Sequence, residues 1–172
     1  MSTKGGSYTA TRLTVAVPGV REFQRRYEQA VPFNPTIEVA NLVERGAPWT
    51  EMIGLIADSA PHGSLIYWRN DVHPVMGLAG DANDCVAYLM GNHTIAEQMF
   101  RHDPRAMLYA PLRTAIWEDD AGGAWFSVDQ PSTLFASFHN PAVAAVGLEL
   151  DRKLAGLLEA LGTEVPMALF AS

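Results

Sequence analysis

The residues whose chemistry stands out lie in the stretch GNHTIAEQMFRHDPRAMLYAPLR, positions 91–113. Counted along a helix, Ile95, Met99 and His102 fall on one face, while Glu97 and Arg101 make an exposed pair four residues apart. That phase turns His102 inward, or into a cleft, in the last helical turn, where the dipole favours imidazolium and Asp103 and Arg105 follow at once. A histidine so placed can serve as a general acid or base, or as the axial ligand of a haem. The alternative is a core histidine whose ring bonds a free carbonyl at the helix end. His102 is therefore the candidate catalytic residue, and a haem on His102 is the one cofactor alternative where otherwise none is expected.

The remaining histidines do not cooperate with it. His93 stands nine residues before His102, about half a turn out of phase, so the two cannot share a metal on one continuous helix. His62, His73 and His139 lack the spacing of a ligand pair, and no metal site is expected. Tyr67, Trp68 and Arg69 combine stacking surface with charge and could meet an aromatic or anionic ligand. The single Cys85, inside DCVAYLM, excludes an internal disulfide and reads as an inert buried thiol. Asp81, Asn83 and Asp84 lack the further ligands of a calcium loop, and Glu118, Asp119 and Asp120 read as a solvated hairpin tip. No phosphate loop, dinucleotide fingerprint or nucleophile elbow is present.

Positioning these residues falls to a chain of 172 residues, 48% hydrophobic and 18% charged, enough for one core. The expected division is a tail at 1–8, a single domain at 9–162 and a C-terminal tail at 163–172 that is apolar enough to dock but has no assigned place. A net charge of −7 disfavours a nucleic-acid binder, which needs a basic face. No apolar run reaches the roughly 18 residues of a membrane span, and the polar start MSTKGGSYTATRL lacks a secretory core, so the expected location is cytoplasmic.

TRLTVAV alternates with the period of a half-buried strand, and PGVREFQRRYEQAV follows as an amphipathic helix with Val20, Phe23, Tyr27 and Ala30 on one side. NPTIEVANLVERG predicts a second helix, capped by Asn34 with Pro35 in its first position, and PWTEMIGLIADSA a third. GSLIYWR and DCVAYLM read as strands joined through a hairpin or loop, HPVMGLAGDAND. Asn92 then caps HTIAEQMFRHD. PLRTAIWEDDAGGAWFSVDQP predicts two strands around an Asp-Asp-Ala-Gly-Gly turn, ended by Pro131. With the turn centred on Ala121, Trp117 opposes Trp125 and Arg113 opposes Asp129 on one face, and Ile116 opposes Phe126 on the other. Asn140 and Pro141 open a long helix with Val143, Val146, Leu150, Leu154, Leu157 and Leu161 in one stripe, closed by Gly162. The sum is an α+β domain, a mainly antiparallel sheet covered by helices on one face, leaving the other free.

From about Leu13 to Leu158 the chain resembles the bacterial and archaeal domain-of-unknown-function family 302. The likeness is carried by Gly91 and Asn92 before the short helix, by Tyr109, Ala110, Pro111, Leu112 and Arg113, by the acidic hairpin turn, and by Pro131 and Ser132, with QPSTLFASF and ELDRKL beyond. The chain departs at His93, where the family usually has proline. Proline would open a helix there, so His93 is either tolerated in the first turn or adds a function. The resemblance implies a TATA-binding-protein-like order, one strand and a helix followed by four strands and a helix, here a five-stranded sheet with extra helices, and a homodimer. It implies no activity, and the fold does not license DNA binding.

The reading that follows is a small-molecule-binding domain, with a histidine-dependent reaction on that ligand as one form of it. Its pocket is approached by His102, Arg113, Asp129, Tyr67 and His93. The alternatives are a homodimeric interaction domain without chemistry and a haem protein.

Overall fold

Alternation of apolar and polar residues in RLTVAV, CVAYLMG, LRTAIWE and AWFSVD gives each strand one buried and one open side, and five strands join in a single antiparallel sheet. The computed structural model describes residues 5–170. Residues 1–4 of the expected N-terminal tail, and 171–172, lie outside the described residues.

The elements run β1 (Arg12–Val17), α1 (Val20–Ala30), α2 (Thr36–Glu44), α3 (Trp49–Ser59), β2 (Leu65–Asp71), α4 (His73–Met76), β3 (Cys85–Gly91), α5 (His93–Phe100), β4 (Leu112–Glu118), β5 (Ala124–Asp129), α6 (Pro131–Ala136) and α7 (Pro141–Ala160). The strand order is β1-β5-β4-β3-β2. This is the α+β arrangement expected, with α2 to α6 set into the strand-helix-four-strands-helix order. The β4–β5 hairpin has the expected register, Trp117 opposite Trp125 and Ile116 opposite Phe126.

One face of the sheet carries the core. Phe23 and Tyr27 of α1 pack on Tyr88 and Phe126, with the Tyr27 and Tyr88 ring centres 5.0 Å apart. The Tyr27 hydroxyl pairs with the hydroxyl of Thr114 at 3.1 Å, which satisfies a threonine buried on the inner side of β4. The polar side of α1 is used as well. Arg21 reaches Asp71 at 2.7 Å and Asp84 at 2.6 Å, clamping the outer ends of β2 and β3.

Several local expectations are corrected. α2 begins at Thr36 with Pro35 as its cap, and Asn34 turns back on Thr36 instead of capping. HPVMGLAGDAND forms the one-turn α4 and a 3-10 turn, stopped at Gly80 with φ 96°, where no Cβ would be tolerated without strain. Asp119 is no idle hairpin tip: its carboxylate accepts from the amides of Ala121 and Gly123 and from the Trp125 indole at 2.7 Å. Those donors hold its pKa below the usual carboxylate range, with the Trp125 bond the largest cause. Within the C-terminal tail, whose place the sequence leaves unassigned, Leu169 is fully buried and the Ala168 carbonyl accepts from Gln130 at 3.0 Å.

That last contact belongs to a network around Asp151, a fully buried residue of α7. Its carboxylate accepts from the Gln130 side chain at 2.7 Å and from the Ser132 amide, in the first turn of α6, at 2.9 Å. One turn earlier, Gly147 lets the two helices close. A Cβ there would sit 3.0 Å from the Ser132 Cα and from the Phe135 Cβ. We expect Asp151→Ala to cost about 3 kcal/mol in urea unfolding, since it strands a buried amide and the Gln130 donor together. A loss below about 1 kcal/mol would show that the network holds nothing.

Candidate functional site

Tyr67 reaches the inner side of the sheet through an irregularity. Leu65 and Ile66 pair with Gly91 and Met90, but the next pair is Trp68 with Leu89, so Tyr67 is the extra residue of a β-bulge. The bulge keeps Tyr67 on the core side beside Ile66 and sends Trp68 to the open face. Gly91 opposite makes room: a Cβ there would lie 3.2 Å from the Pro111 Cβ and 3.4 Å from the Tyr67 ring.

Asn92 then fixes the start of α5. Its side-chain oxygen accepts from the amides of Thr94 at 2.8 Å and Ile95 at 3.3 Å, and its amide donates to the Gly63 carbonyl at 2.9 Å. His93 follows as the first helical residue, where its N–H has no intrahelical partner to lose. Its ring stands edge-on to Tyr67, with centres 4.9 Å apart and planes at 88°.

These two side chains form part of the wall of a cavity of about 230 Å³. Met90, Ile95, Met99, Met107, Phe135 and Leu150 supply most of the apolar lining, Ser64 and Asn92 also face it, and no charged side chain lines it among the described residues. The Tyr67 hydroxyl and His93 Nε2 are buried without a hydrogen-bond partner among the described residues. Burial lowers the His93 pKa below 6.5, so its ring is neutral at pH 7. Burial also raises the Tyr67 pKa well above 10.0 and keeps the phenol protonated. The His93 backbone amide opposes that shift slightly without being aligned for a hydrogen bond.

The expected site is divided by the sheet. Arg113 and Asp129 share one face, as the register required, but it is the open face, a concavity of about 830 Å³ lined also by Arg12, Thr14, Trp68 and Trp117. Asp129 is taken by Arg12, Nε to Oδ1 at 2.8 Å and Nη2 to Oδ2 at 3.2 Å. Arg113 is exposed and has no ion pair among the described residues.

His102 is not inward. α5 ends at Phe100, the amides of His102 and Asp103 both turn to the Met99 carbonyl, and the phase set by Ile95 and Met99 stops before it. The ring is exposed, with no hydrogen bond among the described residues. The buried polar residue at that corner is Asp103, whose side chain accepts from the Arg105 amide at 3.0 Å and pairs with its guanidinium at 2.7 Å. The acid-base and haem roles expected of His102 lose their geometric basis. The cavity is also smaller than the roughly 300–1,000 Å³ of drug-sized pockets, so a haem does not fit. Among the described residues no three His, Cys, Asp or Glu side chains converge as a metal cage requires. Cys85 is half-buried, and burial pushes its thiol pKa up.

Residues 57–161 match the family described as "Domain of unknown function DUF302". The chain belongs to this family. Among solved structures, the crystal structure of an uncharacterized conserved DUF302 protein from Bacillus stearothermophilus is similar, with a TM-score of 0.61 and 14% sequence identity over 88% of this chain and 97% of that one. Only eleven residues follow Leu161, so that coverage includes elements before Ala57. At this identity the DUF302 likeness shows the fold alone. No curated protein matches the sequence. No helix among the described residues is long and apolar enough to cross a membrane.

Two outcomes are expected at this site. Tyr67→Phe removes a hydroxyl that no protein group satisfies, so the variant should be as stable as the parent or more stable by up to about 1 kcal/mol. A clear loss in chemical denaturation would mean that the hydroxyl has a partner. Because the His93 pKa lies below the 6.5 of a free histidine, the unfolded chain binds a proton that the folded chain resists as pH falls. The stability His93 confers is whole above pH 6.5 and is lost on the way down to the folded pKa. His93→Leu should flatten that part of the stability profile, and an unchanged profile would reject the assignment.

Proposed function

We propose that this DUF302 domain binds a small, compact, mainly apolar molecule in the cavity between the β2–β3 edge, α5 and the α6–α7 pair. The observation that carries the reading is an apolar cavity of about 230 Å³ whose wall includes two buried polar groups without protein partners. Native proteins leave few such groups, and each one costs about 1–3 kcal/mol unless something satisfies it. A dry apolar cavity of about 150 Å³ is enough to take up benzene, so the space here suits one substituted ring. Met90, Met99 and Met107 add polarisable sulfur, which packs well against aromatic edges. Binding is favoured over catalysis because neither Tyr67 nor His93 has the orienting partner that a general base needs.

The second reading, a homodimer, rests on the open face of the sheet. Trp68 is 48% exposed there, and Leu89, Arg113 and Trp117 share the concavity, which no helix among the described residues lines. Light scattering that returned a monomer mass across micromolar concentrations would remove it.

The first reading is tested by titrating toluene while observing the methionine methyl resonances. We expect shifts at Met90, Met99 and Met107 that disappear in Ala96→Leu, which adds bulk from the α5 wall. Toluene that moves none of the three methyls would sink the proposal.

A further inference from the structure

We infer that the ligand of this cavity is a neutral ring compound bearing one hydroxyl or carbonyl oxygen, held between Tyr67 and His93, and that its carboxylate counterparts are refused. The inference rests on the binding proposal above and specifies its chemistry.

Among the described residues no cationic or anionic side chain lines the cavity. A carboxylate or ammonium brought into it would lose its hydration without gaining an opposite charge, a cost that apolar contacts and a neutral hydrogen bond do not offset. Geometry then locates the polar end of the ligand. The Tyr67 and His93 rings touch edge to face at 4.9 Å, and their two unpartnered atoms belong to the same wall. That pair of residues is the part of the wall where a ligand oxygen would find polar partners.

The two groups are chemically suited to such an oxygen. A phenol hydroxyl donates and accepts, and a neutral imidazole nitrogen does one or the other according to its tautomer. A ligand hydroxyl can accept from one and donate to the other, while a carbonyl accepts from both. Neither protein atom is exposed to a water-sized probe, so engagement requires a side chain to turn. The terminal torsion of histidine is broad and roughly two-fold, which makes the His93 ring the mobile partner.

Phenol, toluene and sodium benzoate at pH 7, titrated against the whole protein with methionine methyl shifts as readout, separate the possibilities. Toluene is the more hydrophobic probe, so area burial alone ranks it above phenol. We expect the reverse, phenol tighter by about tenfold, because it satisfies groups that toluene leaves bare. Benzoate should produce no shifts at the same concentrations. Tyr67→Phe, which keeps the ring and the packing, should restore the toluene-first order, and His93→Leu should weaken phenol without weakening toluene. If toluene binds and phenol is no tighter, or if benzoate binds, the inference is overturned while the cavity reading stands. If neither toluene nor phenol binds, both fall.

Discussion

A carboxylate buried with no cation beside it decides how the C-terminal half of this domain packs. Asp151 is fully buried, yet its partners are an amide side chain and a helix amide, not a guanidinium. Its burial is tolerable because the first turn of α6 points a free N–H at the side chain and Gln130 donates a second hydrogen bond. The consequence extends past the network. Gly147 and Asp151, four residues apart on α7, bring α6 to the backbone and then hold it. Phe135 of α6 and Leu150 of α7 are thereby fixed as part of the cavity wall. The cavity wall depends on a hydrogen-bonded contact that is not itself part of it.

What the sequence made legible was whatever depends on neighbours in sequence. The β4–β5 register followed from turn chemistry and a two-residue period, both local, and it held pair by pair. The caps at Asn92 and Asn140 were legible for the same reason. His102 was not, because the inference carried the phase of a helix two residues past its end. The polar residue that closes the corner, Asp103, was read only as a companion to the histidine. Asp151 left a trace that could have been read. It falls at helical spacing with Gly147 and Leu154, on the edge of an apolar stripe, where a solvated aspartate would be out of place.

Tyr67 shows a harder limit. Strand parity assigns alternate residues to opposite faces, and a single extra residue in β2 reverses the assignment for everything beyond it. Nothing in GSLIYWR marks the bulge. It places Ile66 and Tyr67 together on the inner side, and beyond it Arg69 reaches Glu28 at 3.3 Å. Tyr67 and His93 therefore line a different cavity from Arg113 and Asp129, a separation by face that residue types alone do not reveal.

The division has a chemical meaning. Arg113 and Asp129, the latter paired with Arg12, lie on the open face in contact with water, where ion pairs are weak and ligands exchange freely. The two neutral groups lie inside, where a single hydrogen bond discriminates more because its absence is costly. His93 occupies the first turn of α5, where the resemblance implies proline, and either residue permits the helix to start there. The backbone is therefore indifferent to the exchange while the cavity is not. A proline would line the same wall with hydrocarbon, whereas His93 places a second polar atom on the wall that Tyr67 shares, so Gly91 and Asn92 carry the local fold and the residue after them sets the polarity of the cavity.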